Sequence, residues 1–282
     1  MGREELVRLH GADPIAYSTL QPGLHYLDAS FGYIAYQRVL GMDITLGPPV
    51  CAPGDRRALL SRFLRERPRP IFCYVQKDCA CLLREVGPRL RLAGMGVDRL
   101  VSLPQLATPT QELRGARKKA ARAGFSIEPT QLSTLDEQGK TRLREITAAY
   151  LSHSQLPYEM RFLNRPLSMA DDGLSRAYLL RQHDRVFGYV VLNPWFQGGR
   201  VAGYLLDILR CEPTRQWGVF YAVVDSLAAA LTAEGRDGTP LELSLGFCPL
   251  YQATAATAEG PHYSPVLSAQ VGVLERYLAE VP

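Results

Sequence analysis

The chain has no run approaching 18 consecutive apolar residues, so no membrane-crossing helix is expected. Its start, MGREELVRLHG, carries Glu4 and Glu5 and lacks the apolar core of a secretion signal. A cytoplasmic protein is the resulting expectation. No CxxC pair occurs, and no histidine stands at ligand spacing from the D-C-A-C run at 78–81. The six cysteines (Cys51, Cys73, Cys79, Cys81, Cys211, Cys248) are therefore expected to be reduced thiols, mostly small buried hydrophobes, and no metal site is expected. There is no repeat of solenoid period and no low-complexity tract. Lysine is scarce: Lys77, Lys118, Lys119 and Lys140 are all there is, and none follows position 140.

What is present is an ordinary globular composition, 46% apolar and 21% charged, in 282 residues. That length suits two domains of about 140 residues each. The net charge of +4 is unevenly placed. Residues 1–141 hold 20 basic against 14 acidic side chains (+6), and residues 142–282 hold 12 against 14 (−2). Either the first half meets something anionic or it presents an arginine-rich solvated surface.

The densest basic stretch is RGARKKAARAG, with Arg114, Arg117, Lys118, Lys119 and Arg122. At 100° per residue Arg114, Arg117, Lys118 and Arg122 fall within about 140°, with Lys119 at the edge of that arc. Leu113, Ala116, Ala120 and Ala123 take the other side, and Gly124 is placed to stop the helix. Cations near a helix C-terminus also suit the dipole, so a purely structural reading stands beside an anion-binding one.

Element signals alternate between strand and helix. Helices are expected over EELVRLH, DRRALLSRFLRER, QKDCACLLREV, about 110–123, LDEQGKTRLREITAAYLSHS and WGVFYAVVDSLAAALTAE. Strands are expected in residues 24–46, at PIFCYV, at VDRLVSL and at SIEP. The clearest β signal is a three-strand meander, RAYLLRQ, VFGYVVLNP and RVAGYLLDILR, followed after a helix by LELSLGF. The fold class is α/β with mixed sheets. The order β-β-β-α-β resembles the acyl-CoA N-acyltransferase (GNAT-like) fold, and looser signals of the same order in 24–103 suggest a tandem. The expected division is 1–108 as a degenerate half, 109–130 as a linking basic helix and strand, and 131–282 as the catalytic half.

Four stretches in order, FGYIAYQRVLGMDITLGPPV (31–50), LRGARKKAARAGFSIEP (113–129), GYLLDILR (203–210) and LSLGFCPL (243–250), resemble the C-terminal domain of phosphatidylglycerol lysyltransferases. That family is related to the Fem-type peptidoglycan transferases. The resemblance covers about residues 5–250. It implies acyl transfer from aminoacyl-tRNA, a co-substrate and not a cofactor, to a lipid or small-molecule hydroxyl or amine. It also implies that Asp207 and Arg210 are the family's Asp-x-x-Arg pair. An acid there can hold an α-ammonium or accept a proton, and a guanidinium can bind phosphate or an oxyanion. The alternative for both is a salt bridge at a strand end. Residues three apart on a strand point to opposite faces unless a bulge intervenes. Glu159, Tyr189 and Tyr204 are further cleft candidates, with packing or surface roles as the alternative. Gly246 and Pro249 are expected to shape the loop beside the cleft. Cys248 has no neighbouring histidine to activate it and is not taken as a nucleophile.

The resemblance makes aminoacyl-tRNA the partner and leaves peripheral contact with the inner face of the membrane open; DNA is not expected, since no reading helix or partner motif accompanies the basic stretch. Arg114, Arg117, Lys118, Lys119 and Arg122 become tRNA-backbone candidates. Two other readings compete. Arg215-x-x-Gly218-x-Phe220 is half of the pyrophosphate motif of acyl-CoA transferases, with Phe220 where a small residue is wanted. A non-catalytic RNA- or membrane-binding protein is the third. The family's closing basic, aromatic segment has no counterpart in SPVLSAQVGVLERYLAEVP, which leaves the acceptor open between phosphatidylglycerol, another lipid and a soluble molecule.

Overall fold

The computed structural model describes residues 1–92, 94, 96–103, 111–153, 162, 165–170, 172–213, 218–234 and 241–249. They fall into two compact units, Met1–Arg99 with residues 246–249, and Leu100–Leu245.

The first unit opens with α1 (Arg3–His10), closed at Gly11, whose backbone N–H donates to Val7. Strands β1 (His25–Ala29), β2 (Gly32–Val39) and β3 (Met42–Leu46) form an antiparallel meander, and β4 (Val50–Cys51) pairs the start of β2. Helix α2 (Arg56–Glu66) then crosses over to β5 (Pro70–Cys73), which runs parallel to β3. Leu59, Leu60 and Phe63 share one face of α2, as the sequence spacing requires, and seal a core with Ile34 and Tyr36 of β2 and Leu83 of α3 (Lys77–Val86). Cys51 and Cys79 are buried in the same core.

The second unit holds α4 (Gln111–Arg122), β7 (Phe125–Thr130), α5 (Glu137–Ser152), β8 (Arg176–Gln182), β9 (Arg185–Gln197), β10 (Arg200–Cys211) and α6 (Val219–Glu234). With β6 (Gly96–Ser102) and β11 (Glu242–Pro249) its strands make a six-stranded sheet in the order β6-β11-β10-β9-β8-β7. The neighbours β7 to β10 are antiparallel, and β11 lies parallel to β10 after the α6 crossover. Both units therefore repeat β-β-β-α-β, the GNAT-like order expected from the sequence. The basic helix and β7, read above as a link, lie within the second unit.

Two cores sandwich this second sheet. On one face Tyr178, Leu192, Tyr204 and Leu206 meet Val223, Leu227 and Leu231 of α6. On the other, Leu179, Tyr189, Val191 and Ile208 meet Leu143 and Ile146 of α5. Asp136 caps α5, its side chain accepting the Gly139 N–H at 2.7 Å. Gly124 ends α4 with φ +63°, and a Cβ there would lie 2.4 Å from the His183 ring, so that stop demands glycine.

Candidate active site

The GYLLDILR strand carries the irregularity that decides the site. In the β9–β10 ladder Leu206 pairs Leu192 and Ile208 pairs Val191, leaving Asp207 as the extra residue of a β-bulge. Leu206 packs in the α6-side core and Ile208 in the α5-side core, so side-chain alternation resets across the bulge. Asp207 shares a cleft with Ile208, Val191 and Asn193, and Arg210, two residues beyond Ile208, pairs Tyr189 on the α5 side. A three-residue spacing thus delivers both charges to one face.

Asn193 is fully buried in the middle of β9, a strand buried without interruption from Phe187 to Phe196. Its Oδ1 accepts from Arg165 Nη1 at 3.3 Å and lies 3.3 Å from Ser175 Oγ, whose single proton is directed to Asp172. That leaves its amide N–H groups to donate, and one donates to Asp207. The Arg165 backbone N–H also donates to Asp207. Asp172 fixes the far wall. It accepts from the Ser175 backbone N–H and hydroxyl, both at 2.7 Å, and lies 3.8 Å from Arg165 Nη2. The mouth is bordered by Thr130 and Gln131 at the end of β7.

Asp207 Oδ2 is buried and has no hydrogen-bond partner. Burial raises the Asp207 carboxyl to about 6, against the opposing pull of the Arg165 guanidinium, the Asn193 and Arg165 hydrogen bonds and Arg210. A half-satisfied buried carboxyl lining a cleft is a costly arrangement unless something arrives to complete it.

Arg210 is itself buried and does not line the cleft. Its Nη1 donates to Tyr189 Oη at 3.5 Å, and Tyr189 Oη lies 2.7 Å from Thr147 Oγ1, which donates to the Leu143 carbonyl within α5. Its guanidinium also stands over the Tyr150 ring at 5.9 Å. Arg210 therefore biases Asp207 electrostatically and is tied to α5, and Tyr189 serves that tie instead of facing the cleft.

The remaining candidates separate. Tyr204 packs in the α6-side core, on the opposite face from Asp207. Gly246 lies in β11 with φ +88°, a conformation that favours glycine, and the Pro249 backbone ends that strand. Glu159 and Arg215 lie outside the described residues. On α4, Arg117 clamps Asp225 of α6 through Nε at 2.6 Å and Nη2 at 2.5 Å. Arg114, Lys118, Lys119 and Arg122 are exposed. Ala116, Ala120 and Ala123 face a cavity of about 420 Å³ that also touches Lys119, Arg122 and Gly218 at the start of α6. Phe220 is exposed there.

Sequence reasoning missed Asn193, Arg165, Asp172 and Ser175. Asn193 alone left a signal, a lone amide within the apolar run VFGYVVLNPWF. Arg165, Asp172 and Ser175 come from an irregular stretch with no periodicity to read.

The chain resembles several known proteins. It matches L-PGS from Bacillus licheniformis with a TM-score of 0.73 at 14% identity, over 96% of this chain and 81% of that one. It matches a C-terminal domain described as that of a lysylphosphatidylglycerol synthetase from Agrobacterium fabrum with a TM-score of 0.67 at 17% identity, over 87% and 79%. FemX matches with a TM-score of 0.52 at 9% identity, over 98% and 93%. These likenesses show the fold. An uncharacterised protein of Corynebacterium glutamicum is 24% identical over 266 residues, 90% of this chain, which spans about a third (33%) of that relative's length. The model of the phosphatidylglycerol lysyltransferase C-terminal family matches residues 3–279, and the chain belongs to that family.

Proposed function

We propose that this chain transfers an aminoacyl group from aminoacyl-tRNA to a hydroxyl or amine of a lipid or small-molecule acceptor. The observation that carries the reading is Asp207 Oδ2, buried, unpartnered and lining the cleft. The missing partner is an N–H or O–H of substrate: the α-ammonium of the aminoacyl group, or the acceptor whose proton must leave as it attacks the ester carbonyl. Both roles use the ionised carboxylate. Arg165 is the cation nearest the cleft that can meet oxyanion charge, and Arg210 supports Asp207 from beneath. The tRNA ester is already activated, so the protein supplies proximity and charge, and no cofactor takes part. The exposed Arg114, Lys118, Lys119 and Arg122 are read as contacts to the RNA backbone. The test is transfer of labelled amino acid from charged tRNA to lipid and soluble extracts. Asp207→Asn should lose at least about 100-fold in rate while remaining folded; a product insensitive to RNase treatment of the donor would overturn the reading.

One observation favours a second reading. The cavity of about 420 Å³ opens at the start of α6 between Lys119 and Arg122, where acyl-CoA transferases hold pyrophosphate. Coenzyme A raising the melting temperature would support that reading, and silence across acyl-CoAs would remove it.

A further inference from the structure

Three residues other than glycine hold a positive φ among the described residues: Leu40 (50°), Tyr74 (60°) and His183 (52°). Two have visible compensation. The Tyr74 ring packs on Phe247 with centroids 5.1 Å apart, and the His183 backbone N–H donates to the Gly124 carbonyl at 2.8 Å. Leu40 has none. It sits with Gly41 (φ 76°) at the tip of the β2–β3 hairpin, between the paired residues Val39 and Met42. Two-residue hairpin turns with both central φ values positive select Asn, Asp or Gly at the first position, and a γ-branched apolar residue is strained there. Leu40 is also 90% exposed, and Val39 beside it is 40% exposed. A strained leucine in water stabilises nothing in the fold, so the feature points outward.

The register shows what surrounds it. Asp43 pairs Pro70 of β5, and the Asp43 N–H donates to the Arg69 carbonyl at 3.0 Å, so the 67–69 connection lies at the tip's end of the sheet. Of the local charges, Arg38 is matched by Asp43 at 2.9 Å and Arg62 by Glu66 at 2.7 Å. Arg67 stands over the Tyr36 ring at 5.0 Å, which leaves the exposed Arg65 and Arg69 as net positive charge at this end of the sheet. A protruding aliphatic pair with two exposed arginines at the same end of the sheet complements an anionic bilayer surface, where the tip enters the acyl boundary and the guanidinium groups meet headgroup phosphates. An RNA backbone would satisfy the arginines but leave Leu40 in water.

We infer that the β2–β3 hairpin, through Val39 and Leu40 with Arg65 and Arg69, docks the protein on anionic membrane surfaces. The hairpin belongs to the first unit and Asp207 to the second, so the inference is tested independently of the proposed reaction. The experiment is flotation of the 282-residue chain with vesicles of phosphatidylcholine containing phosphatidylglycerol, and with phosphatidylcholine alone. The wild type should float with the anionic vesicles and release with salt. Leu40→Asn should weaken partitioning by about tenfold while raising the melting temperature, because Asn fits the turn. Arg65→Glu with Arg69→Glu should abolish the preference for anionic vesicles. Asp207→Asn should float as the wild type does. Unchanged flotation of Leu40→Asn overturns the inference. So does loss of flotation on neutralising Lys118 and Arg122 instead, which would make α4 the docking element, and so does binding to charged tRNA that falls with Leu40→Asn.

Discussion

Asp207 occupies one of the two positions where β10 gives up a ladder partner, and its carboxyl is left with one oxygen satisfied by Asn193 and Arg165 and one bare. The sign of its effect on stability follows from the direction of its shift. An acid whose folded value is about 6, against 3.8 ordinarily, binds its proton more tightly in the folded chain. Its stabilising effect is full below the unfolded value and is lost as pH rises through about 6. Above that pH the ionised, buried form costs at most about 3 kcal/mol. Asp207→Asn keeps the shape and removes the charge. It should melt higher than the wild type at pH 7.5 and match it near pH 4, while transfer is lost. Differential scanning fluorimetry across pH reads the first effect, and equal melting at pH 7.5 would show that the carboxyl bears no burial cost. A second residue-scale expectation concerns the tie beneath the site. Tyr189→Phe removes the hydroxyl between Thr147 and Arg210 and should lower kcat several-fold with KM little changed, since Tyr189 does not face the cleft.

At the scale of elements, α4 shows how far a pattern can be read. Its existence, its stop at Gly124 and its alanine face were all legible, because helical period and glycine chemistry are local. What the alanines pack beside was not, because pairing of α4 with α6 joins residues more than a hundred positions apart. Arg117 looked like part of one basic face, yet it is held by Asp225. The face therefore divides into an anchor and exposed cations with different phenotypes. Arg117→Ala should lower stability by about 1 kcal/mol, the discount reflecting its half-exposed side chain. Lys118→Ala with Arg122→Ala should leave melting within about 0.5 kcal/mol, since both side chains are exposed. The same pair should flatten the salt dependence of tRNA binding by about 0.7 to 0.9 per contact removed. Filter binding over a salt series separates the two outcomes, and an unchanged slope would remove α4 from the RNA interface. The β10 bulge follows the same rule from the other side. GYLLDILR reads as a regular strand, and only its ladder with β9 shows that Asp207 and Arg210 share a face.

Among the described residues, each unit carries one acid whose carboxyl burial raises to about 6. Asp13 in the first is raised to about 6 by burial, with Asp98 and Asp78 adding to the rise and Ile15 and Arg56 opposing it. Its Oδ1 accepts the Ile15 N–H at 3.0 Å, closing the turn after α1. Asp207 in the second is raised to about 6 by the same dominant cause. Both groups bind protons more tightly folded than unfolded, so both contributions run in one direction, falling as pH climbs from about 4 to about 6 and level above it. Asp13→Asn preserves an oxygen for the Ile15 N–H and should flatten the pH dependence from the first unit alone. The acids belong to separate units with no shared partner, so the two Asn substitutions should add within about 0.5 kcal/mol. Urea unfolding at pH 4 and pH 7.5 measures this directly. The wild type should lose stability between the two conditions, each single variant should recover part of the loss, and the double variant should recover the sum. A double variant no better than the better single would mean that one of the two carboxyls contributes nothing to the stability change between pH 4 and pH 7.5. If that carboxyl were Asp207, the pH dependence of transfer would have to come from another group.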